Sequence, residues 1–359
     1  MTRKDDWTPK DHYQEVTNRI VQALEQGTPP WRRPWDQGIG GLSGPVNAST
    51  GRRYRGINVL LLGSNPRAFE TGDPRWCSYK QAQENGWQVR GGEKASTIFF
   101  FKRVELKGDG AVEGDNDNDD DRKTVPVLRS YPVFHASQMD GIPAYKPPTV
   151  EEAPWREPEA VRAILDASGV PVRVGGDRAF YSPSTDHIQM PVAQAFGSAE
   201  GWSATALHEL GHATGHPSRL NRDLRGRFGS AAYAMEELRA ELASVFMQGE
   251  LGVGADIHQH AAYIDSWLDA LRKDKREIFR AAGDAQRIAD WCLSRHPAYR
   301  AAMEAEADMD GVSIPVIDSS REPVAAAAEM PEHLRRKLGM MPPQSPPPTD
   351  PAAVIGMGM

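Results

Sequence analysis

The sequence predicts an α+β protein built as two domains, and three observations carry that reading. A Pro-rich, acidic segment at 142–159, IPAYKPPTVEEAPWREPE, parts the chain. Ahead of it, short helical runs alternate with strand-like runs. Behind it, three short strands lead into a series of long helices. The length agrees, because 359 residues suffice for two domains of ordinary size. The expected bounds are 1–141 for the first domain, 142–157 for the linker, 158–300 for the second domain and 313–359 for a largely disordered tail.

The elements follow in order. Residues 11–26 place Tyr13, Val16, Ile20, Val21 and Leu24 at helical spacing, and Gly27 with Pro29 and Pro30 should stop that helix. The Pro/Trp/Arg stretch 28–38 cannot form a regular element. Val46 to Arg55 reads as irregular or a hairpin. Asn58 to Leu62 is a short apolar run, closed by Gly63-Ser64-Asn65-Pro66. Ser78 to Glu84 predicts a short helix, and Gln88 to Arg90 and Ser96 to Val104 predict strands. An acidic, Gly-rich loop at 107–124 should join the second of these to a paired strand over Val125 to Phe134. The loop lacks the glycine and the final glutamate of a calcium loop. Beyond the linker, Pro158 to Ala167 is helical. Val170 to Val174, Ala179 to Ser182 and His187 to Met190 are strands. Long helices are expected over Glu200 to Thr214 and Tyr233 to Leu251. Further helices should cover His258 to Leu271, Lys273 to Ala281 and Asp284 to Leu293.

Composition narrows the function. No run of about 18 apolar residues occurs, so neither a transmembrane helix nor a membrane partner is expected. The first ten residues lack the apolar stretch of a signal peptide, which predicts a cytoplasmic protein. Cys77 and Cys292 are the only cysteines, far apart and without CxxC spacing, which excludes a disulfide framework and a thiolate metal site. The net charge of −7 conceals an asymmetry: residues 1–110 carry a balance of +5, while 111–121 hold six acidic side chains and no basic one. A basic N-terminal third on an acidic protein points to a polyanion partner.

The strongest chemical signal is His208-Glu209-Leu210-Gly211-His212, an HExxH match centred in an apolar helix. Positions i and i+4 share one helix face, so both imidazoles can reach one zinc ion. Glu209, one residue round, is the general base that would take a proton from the attacking water. A third protein ligand is needed. The metzincin pattern would put histidine at 218, where this chain has Ser218. His216 stands about 12 Å from His208 along a continuous helix. On the second long helix, Glu237 and Glu241 are four apart and share a face. This resembles the gluzincin arrangement, in which a downstream helix supplies a glutamate. By that resemblance Glu237 is the ligand and Glu241 accepts a hydrogen bond from a ligand histidine. His216 and Glu236 stay open as alternatives. Tyr233 and His216 are candidates for stabilising an oxyanion, and the strand before the HExxH helix is a candidate edge for an extended peptide.

The N-terminal half interleaves aromatics with cations: Trp31, Arg32, Arg33 and Trp35; then Arg52, Arg53, Tyr54 and Arg55; then Arg90 and Lys94 ahead of Phe99 to Phe101. Rings that stack bases beside cations that follow phosphates suit single-stranded DNA.

These residues also carry a resemblance. W-x-x-P-W, GRRYRGIN, W-x-x-Y-x-Q from Trp76, G-W-x-V-R-G-G-E-K and Y-P-V-F-H resemble the N-terminal domain of ArdC-type antirestriction proteins. The HELGH helix followed by YAMEELRAELAS is similar to that family's zincin-like metallopeptidase domain. The resemblance covers roughly residues 8–295, and the same N-terminal module occurs in plasmid primases. It implies single-stranded DNA binding and protection of incoming plasmid DNA from restriction, and it carries the metal ligands onto His208, His212 and Glu237 and the base onto Glu209. A protein in the recipient cell is a candidate substrate, and the resemblance does not say whether the peptidase is active. Two other readings stay open: a non-catalytic protein that coats DNA and holds a structural zinc, and a metallopeptidase whose basic domain binds protein.

Overall fold

The computed structural model describes residues 11–27, 29–31, 44–105, 124–146, 159–224, 226–227, 230–253, 263–297, 299–301 and 303–304. Arg32, Arg33, Trp35, the tail and most of the acidic loop and linker lie outside the described residues. The chain divides into two compact units, one of 1–10, 104–125 and 320–359, the other of 11–103 and 126–319. Of the first, only the strand ends at 104–105 and 124–125 are described.

In the larger unit, helix α1 (His12–Glu25) starts where Asp11 accepts a hydrogen bond from the Gln14 amide at 3.1 Å. It buries Val16, Ile20 and Leu24 and stops before Gly27, whose φ of 71° lies in the left-handed region. Two short helices follow, α2 (Ile57–Gly63) and α3 (Pro66–Thr71). The first lies where the sequence reads as a short apolar run, and the second opens at the Asn65-Pro66 pair expected to close that run. Asn65 caps the Arg67 amide and Pro66 occupies the first helical position, so the Asn-Pro pair opens a helix.

Strands β1 (Val46–Asn47), β2 (Arg75–Cys77), β4 (Ser96–Glu105) and β5 (Thr124–His135) form a sheet of order β1-β2-β5-β4. β1 runs parallel to β2, and β2 antiparallel to β5, with Trp76 opposite His135. Helix α4 (Tyr79–Glu84), opened by a Ser78–Gln81 capping box, leads to β3 (Gln88–Val89), which pairs with β6 (Met139–Asp140).

Helix α5 (Glu159–Ser168) precedes a three-stranded sheet of β7 (Val172–Val174), β8 (Phe180–Ser182) and β9 (His187–Met190). The order β7-β9-β8 leaves β8 on an edge, antiparallel to β9. Helices α6 (Ala199–Ala213), α7 (Ala231–Leu251), α8 (Ile264–Lys273) and α9 (Glu277–Leu293) complete the unit. The two helices expected over 273–293 are one, α9. Gly283 does not break it, because Ala281, Ala282 and Ala285 around it are fully buried and packing exceeds glycine's cost of about 1 kcal/mol. The expected start of α8, from His258, lies outside the described residues.

The core joins both halves of the sequence: Val16, Ile20 and Leu24 of α1 and Leu60 of α2 share one apolar cluster with Leu207, Leu238 and Ile288. A second cluster, of Tyr54, Leu62, Ala68, Trp76, Ile98 and Val133, sits under the four-stranded sheet.

Candidate metal centre

Helices α6 and α7 run in opposite directions. The Ser244 hydroxyl donates to the Ala204 carbonyl at 3.0 Å near one end, and His212 Nδ1 faces Glu236 Oε1 at 3.5 Å near the other. Between these points a Cβ on Gly211 would lie 3.5–3.7 Å from Ala240, so the backbones approach closely there. That approach brings α7 carboxylates within reach of the α6 histidines.

His208, His212 and Glu237 each offer a ligand atom, and these atoms lie within 4.8 Å of one another. The two Nε2 atoms are 3.1 Å apart. Glu237 Oε2 is 3.5 Å from His208 Nε2, and Oε1 is 3.5 Å from His212 Nε2. Donors placed tetrahedrally about 2.0–2.1 Å from a zinc ion stand about 3.3 Å apart. The donor set therefore fits a divalent cation in size as well as in chemistry.

The outer nitrogens are also met. Glu241 Oε2 lies 3.8 Å from His208 Nδ1, beyond hydrogen-bond length but within ion-pair range. Glu236, an alternative ligand in the sequence, is turned to His212 Nδ1 instead, and Arg222 holds both of its oxygens, at 2.6 and 3.2 Å. Arg222 also donates to the Gly211 carbonyl at 2.8 Å and the Thr214 hydroxyl at 2.6 Å. Nothing in the sequence marked Arg222, which lies in an irregular segment. His216 falls past the end of α6 with Nδ1 2.7 Å from the Ser218 hydroxyl.

The charge balance matches a cation site. Burial works to lower the His212 pKa, but the carboxylates of Glu236 and Glu237 outweigh it and push it up to about 10. Burial opposes ionisation of Glu237, yet hydrogen bonds from His208 and His212 hold it well below the usual carboxylate range. A divalent cation would answer the same field. Burial and the Glu237 carboxylate push the Tyr233 phenol upward, so it stays a hydrogen-bond donor at neutral pH.

Glu209, 8% exposed, lines a cavity of about 1000 Å³ together with His208, His212, Glu237, Tyr233 and the edge strand β8. That strand is strapped to α6: Arg219 donates to the Ala213 carbonyl at 2.6 Å and pairs with Asp186 in the β8–β9 turn. Asp186 adopts a φ of 45° there and accepts the Tyr181 hydroxyl at 2.8 Å.

The residues read as DNA contacts fare differently. Trp31 is 3% exposed and packs on Trp267 with centroids 5.8 Å apart. Tyr54 is 7% exposed, and its hydroxyl accepts from Asn47 at 3.3 Å. Neither presents a ring face to a base, which corrects the sequence reading: large rings gain most by burial, and both complete a core cluster. Arg53 pairs with Glu250, Arg55 with Asp290, and Arg90 with Glu93 and Asp140. Arg52 is half-buried and Lys94 exposed. Large exposed rings stand elsewhere: Phe100 and Tyr131 are 39% and 44% exposed and meet edge to face at 5.7 Å.

Two family models match the chain: a zincin-like metallopeptidase over residues 159–284, and the N-terminal domain of the anti-restriction factor ArdC over residues 10–134. The DNA primase TraC of Escherichia coli is 44% identical over 345 residues, which is 89% of this chain and 32% of TraC. The chain thus spans about a third of that curated relative's length. The crystal structure of the antirestriction protein ArdC from plasmid R388, metal-free, matches at 40% identity with a TM-score of 0.66, over 80% of this chain and 99% of that one. Its Mn(II)-bound form matches at 40% identity with a TM-score of 0.63, over 80% and 98%. Among the described residues, no helix is long and apolar enough to cross a membrane.

Proposed function

The chain belongs to the ArdC antirestriction family, and from that premise we propose that it is a zinc metallopeptidase-type antirestriction protein that binds single-stranded DNA. It would protect incoming plasmid DNA in the cytoplasm of a recipient cell. The observation that carries the peptidase part is the convergence of His208, His212 and Glu237 beside Glu209 in one cleft.

In this reading His208, His212 and the Glu237 carboxylate hold the ion. When bound, zinc supplies Lewis acidity toward a substrate carbonyl and acidifies water. Glu209 takes the proton of the attacking water and returns it to the leaving amine. Glu241 and Glu236 orient the two imidazoles from behind. The Tyr233 phenol donates to the oxygen on which negative charge develops. The edge strand β8 lines the same cavity and suits an extended peptide.

The DNA part of the reading draws on Phe100 and Tyr131, whose exposed rings suit base stacking, and on Arg129, exposed two residues before Tyr131 and thus on the same face of β5. In the alternative, the protein only coats DNA and the zinc is structural. Glu209→Ala separates the two. It should retain metal in both cases and lose protection only if hydrolysis is the mechanism. Elemental analysis of wild type, His208→Ala and Glu237→Ala tests the ligand set, and zinc retained by either variant at wild-type stoichiometry contradicts it.

A further inference from the structure

Glu237, Glu241, Ser244 and Gln248 follow one another along α7 at spacings of four, three and four, a single stripe facing α6. All four line the cavity, together with Ala204, Thr205 and Val245. The stripe continues the metal-site wall past the histidines and ends at Gln248, which is 2% exposed. There the amide is fixed. Gln248 Nε2 donates to the Ser244 hydroxyl at 2.8 Å, and Ser244 in turn donates to the Ala204 carbonyl at 3.0 Å. Turning the amide over would set its oxygen against a hydroxyl whose proton is already committed to Ala204. The oxygen, Oε1, is therefore the end turned away from Ser244; it is buried at the cavity wall, and among the described residues nothing donates to it.

A buried carbonyl oxygen without a donor is destabilising, so a partner from outside the chain, water or a ligand, completes it. We propose that Gln248 Oε1 is a specificity subsite of the cleft, taking a peptide side chain that ends in an N–H donor. The inference rests on the peptidase reading. An apolar side chain of the same shape would leave Oε1 unsatisfied and bind less well, whereas the wall around it, Ala204 and Val245, accepts the aliphatic stem of either. Glu241 and Ser244 do not serve this role: Glu241 faces His208, and the Ser244 proton is engaged.

The test uses the zinc-loaded full chain and a set of dipeptide and tripeptide hydroxamates in which asparagine or glutamine replaces its apolar isostere, leucine or homoleucine, at each position. Wild type should prefer the amide member at one position by about 10-fold or more. Gln248→Leu should abolish that preference while keeping its zinc content and its melting temperature, because an apolar side chain one methylene shorter removes the unsatisfied oxygen. Gln248→Met provides the same readout in a more adaptable side chain. Equal binding of amide and isostere at every position by wild type overturns the subsite and leaves the metal site standing. A fall in melting temperature in both variants, with the preference retained, makes Gln248 structural and also overturns it. Binding of no hydroxamate by the zinc-loaded chain removes the peptidase reading and the subsite together.

Discussion

Arg222 grips Glu236 by both carboxylate oxygens, at 2.6 and 3.2 Å, and so fixes the group that stands behind His212. The clamp reaches α6 as well, through the Gly211 carbonyl and the Thr214 hydroxyl, so a single guanidinium ties the two site helices together.

Arg222→Met and Glu236→Gln should each weaken metal binding about 10- to 100-fold, the usual consequence of removing a group that orients a ligand histidine. Chelator competition measures it. Arg222→Lys should recover only part of the loss, because one ammonium cannot replace a forked donor. Wild-type affinity in Arg222→Met would show that packing alone orients His212.

Gly211→Val should destabilise the fold by about 1–3 kcal/mol, since Ala240 leaves room for little more than a Cβ at that crossing. It should also lower metal content by moving α7 away from the histidines. Denaturant melts and elemental analysis read the two effects. An unchanged melt would mean that the helices separate there without loss.

Phe100→Ala with Tyr131→Ala should weaken single-stranded DNA binding by about 10-fold or more and leave the melting temperature unchanged, because both rings are exposed. Trp31→Ala should do the reverse, lowering stability by about 3–5 kcal/mol as a cavity opens against Trp267. Fluorescence anisotropy with a labelled oligonucleotide across a salt series separates the cases. DNA affinity that tracks Trp31 but not Phe100 would restore the sequence reading.

His135 makes stability depend on pH away from the metal site. Burial lowers its pKa, which outweighs its bond to the Asp73 carbonyl at 2.7 Å. The unfolded chain therefore takes up a proton more readily than the folded one. The stability contributed by neutral His135 is complete above about pH 6.5 and falls as pH drops from there toward the lowered folded value. The destabilisation caused by His135→Gln, relative to wild type, should be largest near neutrality and shrink by about pH 5. Urea melts at several pH values check this, and a constant difference would show that His135 does not titrate in that range.

What the sequence determined by itself was whatever repeats with the period of one element. HExxH is a one-turn spacing, so His208 and His212 share a face wherever that helix lies, and the Glu237–Glu241 pair obeys the same rule on α7. The spacing of Val16, Ile20 and Leu24 in α1 is local in the same sense. Tertiary structure decided the rest. Glu236, Glu237 and Glu241 lie within one and a half turns of each other, and which of them reaches both imidazoles depends on how α7 is rotated about its axis. The contact of Ala240 with Gly211 sets that rotation. Arg222 enters from an irregular segment with no period to read. Trp31 and Tyr54 look the same in sequence whether exposed or buried, and the apolar faces of α8 and the four-stranded sheet took them into the core. Burial is a property of two surfaces meeting, and one chain segment states only its own.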